Sequence, residues 1–201
     1  MNTNDFLVMV GKAACCHTPT IRHTYDSVVL VDNWDVRGDL IECGVYAGAQ
    51  IAVMWRACKD LNIDRKIHAF DSFQGVPMPG TEDGPEWAGK VGKACSTRKN
   101  FDSFMTRWGV TGVFVHEGWF EDTVKKFRNP IALLRLDGDL YSSTLTCLVH
   151  LYPLVSKNGI VIVDDYALGG CRRAVHEYFV DDLPEIRSVK GGGGPVWWRK
   201  K

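Results

Sequence analysis

The chain has 201 residues, 45% of them hydrophobic, which suits one domain with a sizeable core. Lys+Arg and Asp+Glu both total 24, a balance that argues against nucleic acid and anionic membrane surfaces as partners. No apolar stretch approaches the roughly 20 residues of a membrane helix, and the start Met1-Asn2-Thr3-Asn4-Asp5 lacks the basic flank of a signal peptide, so a cytoplasmic protein is expected.

Short apolar runs alternate with helical stretches along the chain, the signature of an α/β domain with a mostly parallel sheet. Asp39-Leu40-Ile41-Glu42-Cys43-Gly44 reads as a first strand breaking into a glycine turn, and 49–61 as a helix. Lys66-Ile67-His68-Ala69-Phe70-Asp71 is a second strand ending in an acid. A Gly/Pro-rich loop follows over 74–92, long enough to act as a lid. A helix over 101–108, a third strand over 113–118 and a short helix over 121–127 come next. Then Leu134-Arg135-Leu136-Asp137-Gly138-Asp139 forms a strand and 142–154 a helix. Asn158-Gly159 leads into Ile160-Val161-Ile162-Val163-Asp164-Asp165, a helix covers 172–180, and the turn 191–194 folds the remainder into a hairpin. In that hairpin Trp197 and Trp198 point to opposite faces, one into the core.

Cys43, Cys58 and Cys147 fall in apolar segments and read as reduced core thiols. Seven cysteines without zinc-ligand spacing offer no metal site, and the adjacent pair Cys15-Cys16 has no evident redox role. His68, His116 and His176 lie within regular segments and read as packed or solvated rather than as ligands.

Two constellations carry chemistry. The strands ending at Asp137-Gly138-Asp139 and Asp164-Asp165 deliver four acids to one sheet edge. Unpaired carboxylates repel and raise one another's pKa values, so the cluster wants a cation, and all-oxygen ligands favour Mg²⁺ or Ca²⁺ over zinc. Period-two alternation puts Asp137 and Asp139 on one side, as a ligand and a base should be, but Asp164 and Asp165 converge only if the chain bends there. In the second constellation, Glu42-Cys43-Gly44-Val45-Tyr46-Ala47-Gly48-Ala49 follows the first strand and Asp71 ends the second. Glycine after a strand admits close backbone approach by a ligand, and an acid at the next strand's end can accept both ribose hydroxyls, which suggests a nucleoside-containing cofactor. The Gly-x-Gly-x-x-Gly order of a dinucleotide site is absent.

Several ordered segments resemble the macrocin-type sugar O-methyltransferases of antibiotic tailoring, which depend on S-adenosylmethionine and Mg²⁺. From about Arg37 onward these are Gly38-Asp39-Leu40-Ile41-Glu42-Cys43-Gly44-Val45, His68-Ala69-Phe70-Asp71-Ser72-Phe73-Gln74-Gly75, Gly118-Trp119-Phe120-Glu121-Asp122-Thr123, Leu136-Asp137-Gly138-Asp139-Leu140-Tyr141-Ser142-Ser143-Thr144 and Val163-Asp164-Asp165-Tyr166. The resemblance implies a Rossmann-like class I methyltransferase fold, with a seven-stranded sheet in the order three-two-one-four-five-seven-six flanked by helices. It divides the chain into a short helical cover segment, 1–38, and a methyltransferase domain, 39–201. It implies that Asp137, Asp164 and Asp165 hold the metal and Asp139 acts as general base. It further implies that Asp71 takes the ribose and that Glu42, Gly44, Tyr46, Gly48, Ala49, Ser72, Phe73, Asp137 and Gly118, Trp119, Phe120 surround the cofactor. The acceptor expected is a small-molecule hydroxyl on a sugar or vicinal diol.

Two departures from that pattern stand out. Where the family reads Gly-Val-Trp-Arg-Gly-Gly, this chain has Gly44-Val45-Tyr46-Ala47-Gly48-Ala49, which lacks the arginine and points to a weaker hold on the cofactor. The segment before Asp39 is short beside the family's helical region, which helps build oligomers, so homo-oligomerisation stays open. Catechol-type acceptors, a nicotinamide-dependent oxidoreductase, a Mg²⁺-dependent hydrolase and a non-catalytic cofactor-binding domain are the other readings the residues admit.

Overall fold

The computed structural model describes residues 1–14 and 16–201, so half of the Cys15-Cys16 pair lies outside the described residues. Its helices are α1 (Thr3–Ala13), α2 (Thr18–Asn33), α3 (Ala49–Leu61), α4 (Arg98–Arg107), α5 (Phe120–Thr123), α6 (Tyr141–Leu151) and α7 (Gly169–Phe179). Its strands are β1 (Asp39–Cys43), β2 (Ile67–Asp71), β3 (Val113–Glu117), β4 (Ile131–Leu136), β5 (Val155–Val163), β6 (Arg187–Ser188) and β7 (Val196–Arg199). They form one sheet in the order β3-β2-β1-β4-β5-β7-β6. Neighbouring strands from β3 through β5 pair in parallel, and β7 runs antiparallel to both β5 and β6. No described helix is long and apolar enough to cross a membrane.

The inner strands β2, β1, β4 and β5 are largely buried on both faces, as βαβ crossovers require. Alternation along each strand sorts its residues accordingly. Leu40, Leu133, Ile160 and Ile162 pack under α1, α2 and α3, while Ile41, Leu134, Val161 and Val163 pack under α6 and α7. Phe6, Leu7 and Val10 of α1 and Ile21, Val28 and Val31 of α2 share a core with Ala52 of α3, so residues 3–33 form part of the same helical layer. The same rule parts the two tryptophans. Trp198 is fully buried on the α6/α7 side, and Trp197 lies on the other, its ring 5.3 Å from that of His23.

Register sets the position of the sheet edge. Glu42 pairs with Arg135, which pairs with Ile162, and Cys43 with Leu136, which pairs with Val163, so β1, β4 and β5 end level. The ladder runs one residue further at each tip: Asp137 N donates to Cys43 O (2.9 Å), Asp164 N to Leu136 O (2.9 Å) and Gly44 N to Phe70 O (2.8 Å). Gly44, Asp137 and Asp164 are thereby set side by side at the carboxyl ends of the strands, where open α/β sheets bind ligands.

The loop over 74–92 is anchored rather than free. Trp87, in a 3₁₀ turn (Pro85–Lys90), is buried with Val76 and Leu140, and Val76 N donates to Lys93 O (3.0 Å). The Asp83 carboxylate accepts from Gly80 N (3.0 Å) and from Tyr141 N (2.9 Å), which fastens the loop to the first turn of α6. Its exposed large apolar side chains are Met78 and Val91, at the rim.

Candidate active site

A cavity of about 880 Å³ opens at this edge. Of the residues singled out from sequence, Gly44, Tyr46, Asp71, Ser72, Gly118, Trp119, Phe120, Asp137 and Asp139 line it. Its volume lies toward the upper end of ligand sites, with room for a nucleoside cofactor and a small acceptor together.

Close approach makes Gly44 obligatory. Its φ is +85°, and a Cβ built there would lie 1.8 Å from the Asp137 carbonyl oxygen. Asp71 braces the same loop, its Oδ2 accepting from Val45 N (2.8 Å) and Tyr46 N (3.1 Å) and its Oδ1 from Phe73 N (2.7 Å). These bonds occupy both lone pairs of Oδ2 and one of Oδ1, which leaves one acceptor site on Oδ1. Three non-glycine residues in this region hold positive φ: Tyr46 (49°), Phe73 (55°) and Asp139 (58°). Such local strain persists only where surrounding structure enforces it, as ligand sites do.

Other expected cofactor residues sit elsewhere. Gly48 faces α4, where an added Cβ would meet Met105 Cε at 2.4 Å and the Phe101 ring at 2.8 Å, and Ala49 is core. Phe73 packs on Phe101, ring centroids 5.7 Å apart. Glu42, 1% exposed, turns under the sheet to Arg135 rather than into the cavity. Rim and wall residues not singled out as site residues include Gln74, Met78, Val91, Ser142, Ser143 and Thr146. Five of these fall in the loop or the Asp137-to-Thr144 motif, the signal that could have found them, and Thr146 lies beyond both.

The acids converge as a triad with a fourth beside it. Asp137, Asp164 and Asp165 each offer an oxygen within 4.8 Å of the others. The bend that this demands is present: β5 stops at Val163, and a turn closed by Leu168 N donating to Asp165 O (2.8 Å) swings both carboxylates to one side. Asp139 reaches the group by a different route from the one alternation suggests. The strand ends at Leu136, Asp139 is left-handed, and its amide donates to Asp165 Oδ2 (2.9 Å) while its side chain lines the cavity.

Burial, reinforced by the neighbouring carboxylates, raises the pKa of Asp139 to about 6. Asp164 is likewise raised by burial to about 6, although Arg135 pulls it back, and burial pushes Asp165 well above the usual range. Buried hard oxygens that resist ionisation, with no His or Cys among them, fit a Mg²⁺- or Ca²⁺-type ion.

The cluster is not wholly without a cation. Arg135, 1% exposed, donates from Nη1 to Asp137 Oδ2 (2.7 Å) and from Nη2 to Asp164 Oδ1, and Nη1 lies 3.4 Å from Glu42 Oε1. Burial opposes its charge, but Asp164, Asp137 and Glu42 outweigh that and hold the guanidinium protonated. The sequence carried the signal, a lone charge inside an otherwise apolar strand, and a buried charge requires a partner.

A family model described as Macrocin-O-methyltransferase (TylF) matches residues 7–200. The chain belongs to that macrocin O-methyltransferase family. It is accordingly an S-adenosylmethionine-dependent O-methyltransferase of the secondary-metabolite tailoring kind. The chain is 32% identical to mycinamicin III 3''-O-methyltransferase of Micromonospora griseorubida, over 90% of this chain and 80% of that one. It is 36% identical to demethyldecarbamoylnovobiocin O-methyltransferase of Streptomyces niveus, over 83% and 67% respectively. Among solved structures, the O-methyltransferase NovP superposes with a TM-score of 0.84 at 30% identity, covering 92% of this chain and 80% of that chain. The sheet and its flanking helices are thus the Rossmann-like class I methyltransferase fold.

Proposed function

We propose that the chain methylates a hydroxyl of a sugar or sugar-like vicinal diol on a small molecule, with a divalent cation, Mg²⁺ by donor hardness, held by Asp137, Asp164 and Asp165. One arrangement carries the reading: carboxylates from two adjoining strand ends have oxygens within 4.8 Å of one another beside a cavity lined by Gly44, Asp71 and Asp137. Relatives named for glycosylated antibiotics, one of them a rhamnosyl-tetracenomycin 4'-O-methyltransferase of Streptomyces olivaceus at 33% identity over 90% of this chain and 77% of that one, support a sugar acceptor.

A divalent ion held by Asp137, Asp164 and Asp165 would supply positive charge that favours ionisation of an acceptor hydroxyl. The chain's own residues do the rest. Asp71 offers the remaining acceptor site on its Oδ1 to a ribose hydroxyl, and Trp119 and Phe120 supply aromatic surface for the adenine. Asp139, lifted to about 6, is ionised at neutral pH yet close enough to it to accept the acceptor's proton, a role typically worth on the order of 10²–10⁴ in rate. The anchored 74–92 loop excludes water, which favours a step in which a sulfonium and an incipient alkoxide neutralise each other. A carbon–oxygen bond forms as the carbon–sulfur bond breaks, the proton passes to Asp139, and S-adenosylhomocysteine leaves.

The test is methyl transfer to a panel of glycosides and catechols with and without EDTA. Turnover of glycosides is expected to vanish on chelation and return with Mg²⁺, and Asp137→Ala is expected to abolish it with an unchanged circular dichroism spectrum. Full turnover in EDTA would remove the cation from the mechanism, and methylation of catechols alone would move the acceptor class.

A further inference from the structure

A guanidinium in the middle of a sheet is costly. Two charges taken out of water recover their hydration only through good geometry, and apolar residues at such a place are often no less stable. The site of Arg135 is specific about what that cost secures. Register places Glu42 beside Arg135 on the neighbouring strand, on the same sheet face, and the side chain extends past the strand end to Asp137 and Asp164. Its two terminal nitrogens each take one oxygen, Asp137 Oδ2 and Asp164 Oδ1. Among the described residues, no protein donor reaches the second oxygen of either carboxylate. Arg135 itself does not line the cavity.

We infer that Arg135 is a positioning residue for the divalent ion: its planar fork fixes the two ligands that come from different strands, and Glu42 balances the fork's charge from behind. The inference rests on the proposed cation site. A fork suits this task where a point charge does not, because two parallel donors fix the orientation of two carboxylates as well as their distance. The charge count agrees. Glu42, Asp137, Asp164 and Asp165 sum to four negative charges when ionised, so one guanidinium relieves their repulsion and still leaves enough excess to attract a divalent ion. Outer partners of metal-ligating carboxylates typically govern affinity by 10–100-fold.

The test measures Mn²⁺ binding by electron paramagnetic resonance and Mg²⁺ binding by calorimetry, on the full chain, for wild type, Arg135→Lys and Glu42→Gln. Arg135→Lys keeps the charge and loses the fork, so ion affinity is expected to fall roughly 10–100-fold. S-adenosylhomocysteine affinity should stay within about twofold, because Arg135 lies outside the cavity wall. Where glycoside turnover is measurable, saturating Mg²⁺ should recover much of kcat while the Mg²⁺ requirement moves upward. Should the lysine variant fail to fold, Glu42→Gln gives the reading: it leaves the fork's charge unbalanced against an incoming divalent ion, and affinity is expected to fall roughly threefold or more. An arginine that merely cements the fold would shift the melting temperature in these variants and leave ion affinity unchanged, which would overturn the inference. Wild type that binds neither ion would instead remove the cation site on which the inference rests.

Discussion

Gly44→Ala tests whether the close approach of the cofactor loop to the Asp137 strand tip holds the site together. Its φ of +85° is unfavourable for alanine, at a cost of about 1–2 kcal/mol. The larger effect is steric. The new Cβ would start 1.8 Å from the Asp137 carbonyl oxygen and 2.8 Å from its carbon, both backbone atoms that no rotamer can move aside. Relief needs β1 and β4 to part at their tips, which breaks the 2.9 Å bond from Asp137 N to Cys43 O. A buried amide left unpaired costs a further 1–3 kcal/mol or so. Together these give roughly 2–5 kcal/mol, and about 2–4 °C of melting temperature per kcal/mol at this chain length makes a drop of roughly 4–20 °C. Gly109→Ala is the control, since φ there is +68° but an added Cβ meets nothing within 4 Å. It should cost only the strain, about 1–2 kcal/mol. Thermal unfolding by circular dichroism, with S-adenosylhomocysteine titration of whatever folds, separates the two terms. If Gly44→Ala melts with Gly109→Ala and binds the product normally, the contact with Asp137 is not what sets this corner of the site.

Two further outcomes follow from the same geometry. Asp71→Asn replaces a carboxylate that accepts from three backbone amides with a group that must turn an NH₂ toward at least one of them. At about 1.5–3 kcal/mol for a bond to a charged group, S-adenosylhomocysteine affinity measured by calorimetry should drop roughly 10–100-fold, and an unchanged value would take Asp71 out of the cofactor site. The second outcome concerns pH. Asp139 and Asp164 are raised from 3.8 to about 6, so between those values the folded protein binds more protons than the unfolded chain. Their contribution to ion-free stability is therefore greatest at low pH and is lost as pH rises through about 6. A divalent ion reverses that penalty by rewarding the ionised forms. The rise in melting temperature on adding Mg²⁺ to EDTA-treated protein should be small near pH 5 and grow toward pH 7, as read by scanning fluorimetry, and a pH-independent increment would contradict it.

The sheet was legible because its signals are local. An apolar run that halts at an acid or a glycine marks both a buried strand and its carboxyl end, and all five site motifs lie at such halts. The strand order is not legible in the runs themselves; it comes from the resemblance to the macrocin-type family, and the structure shows that order. The extent of α2 was harder to read, because its buried face mixes Thr20, Thr24 and Ser27 with Ile21, Val28 and Val31, so no apolar stripe announces it. Asp139 lines the cavity with Asp137, but not through period-two alternation, which ends with the strand at Leu136.

Arg135 shows why a list of acids does not define an electrostatic site. Counted along the sequence, Asp137, Asp139, Asp164 and Asp165 demand a cation from outside. Counted in space, Glu42 and Arg135 enter the same cluster, and the demand falls without disappearing. Only the register between β1, β4 and β5 brings a residue one strand over, or 29 positions along, into that sum. Asp164 measures what remains: even with a guanidinium bonded to it, burial still lifts its carboxyl to about 6. One arginine therefore leaves the cluster short of charge, and a divalent ion held as proposed by Asp137, Asp164 and Asp165 would complete it.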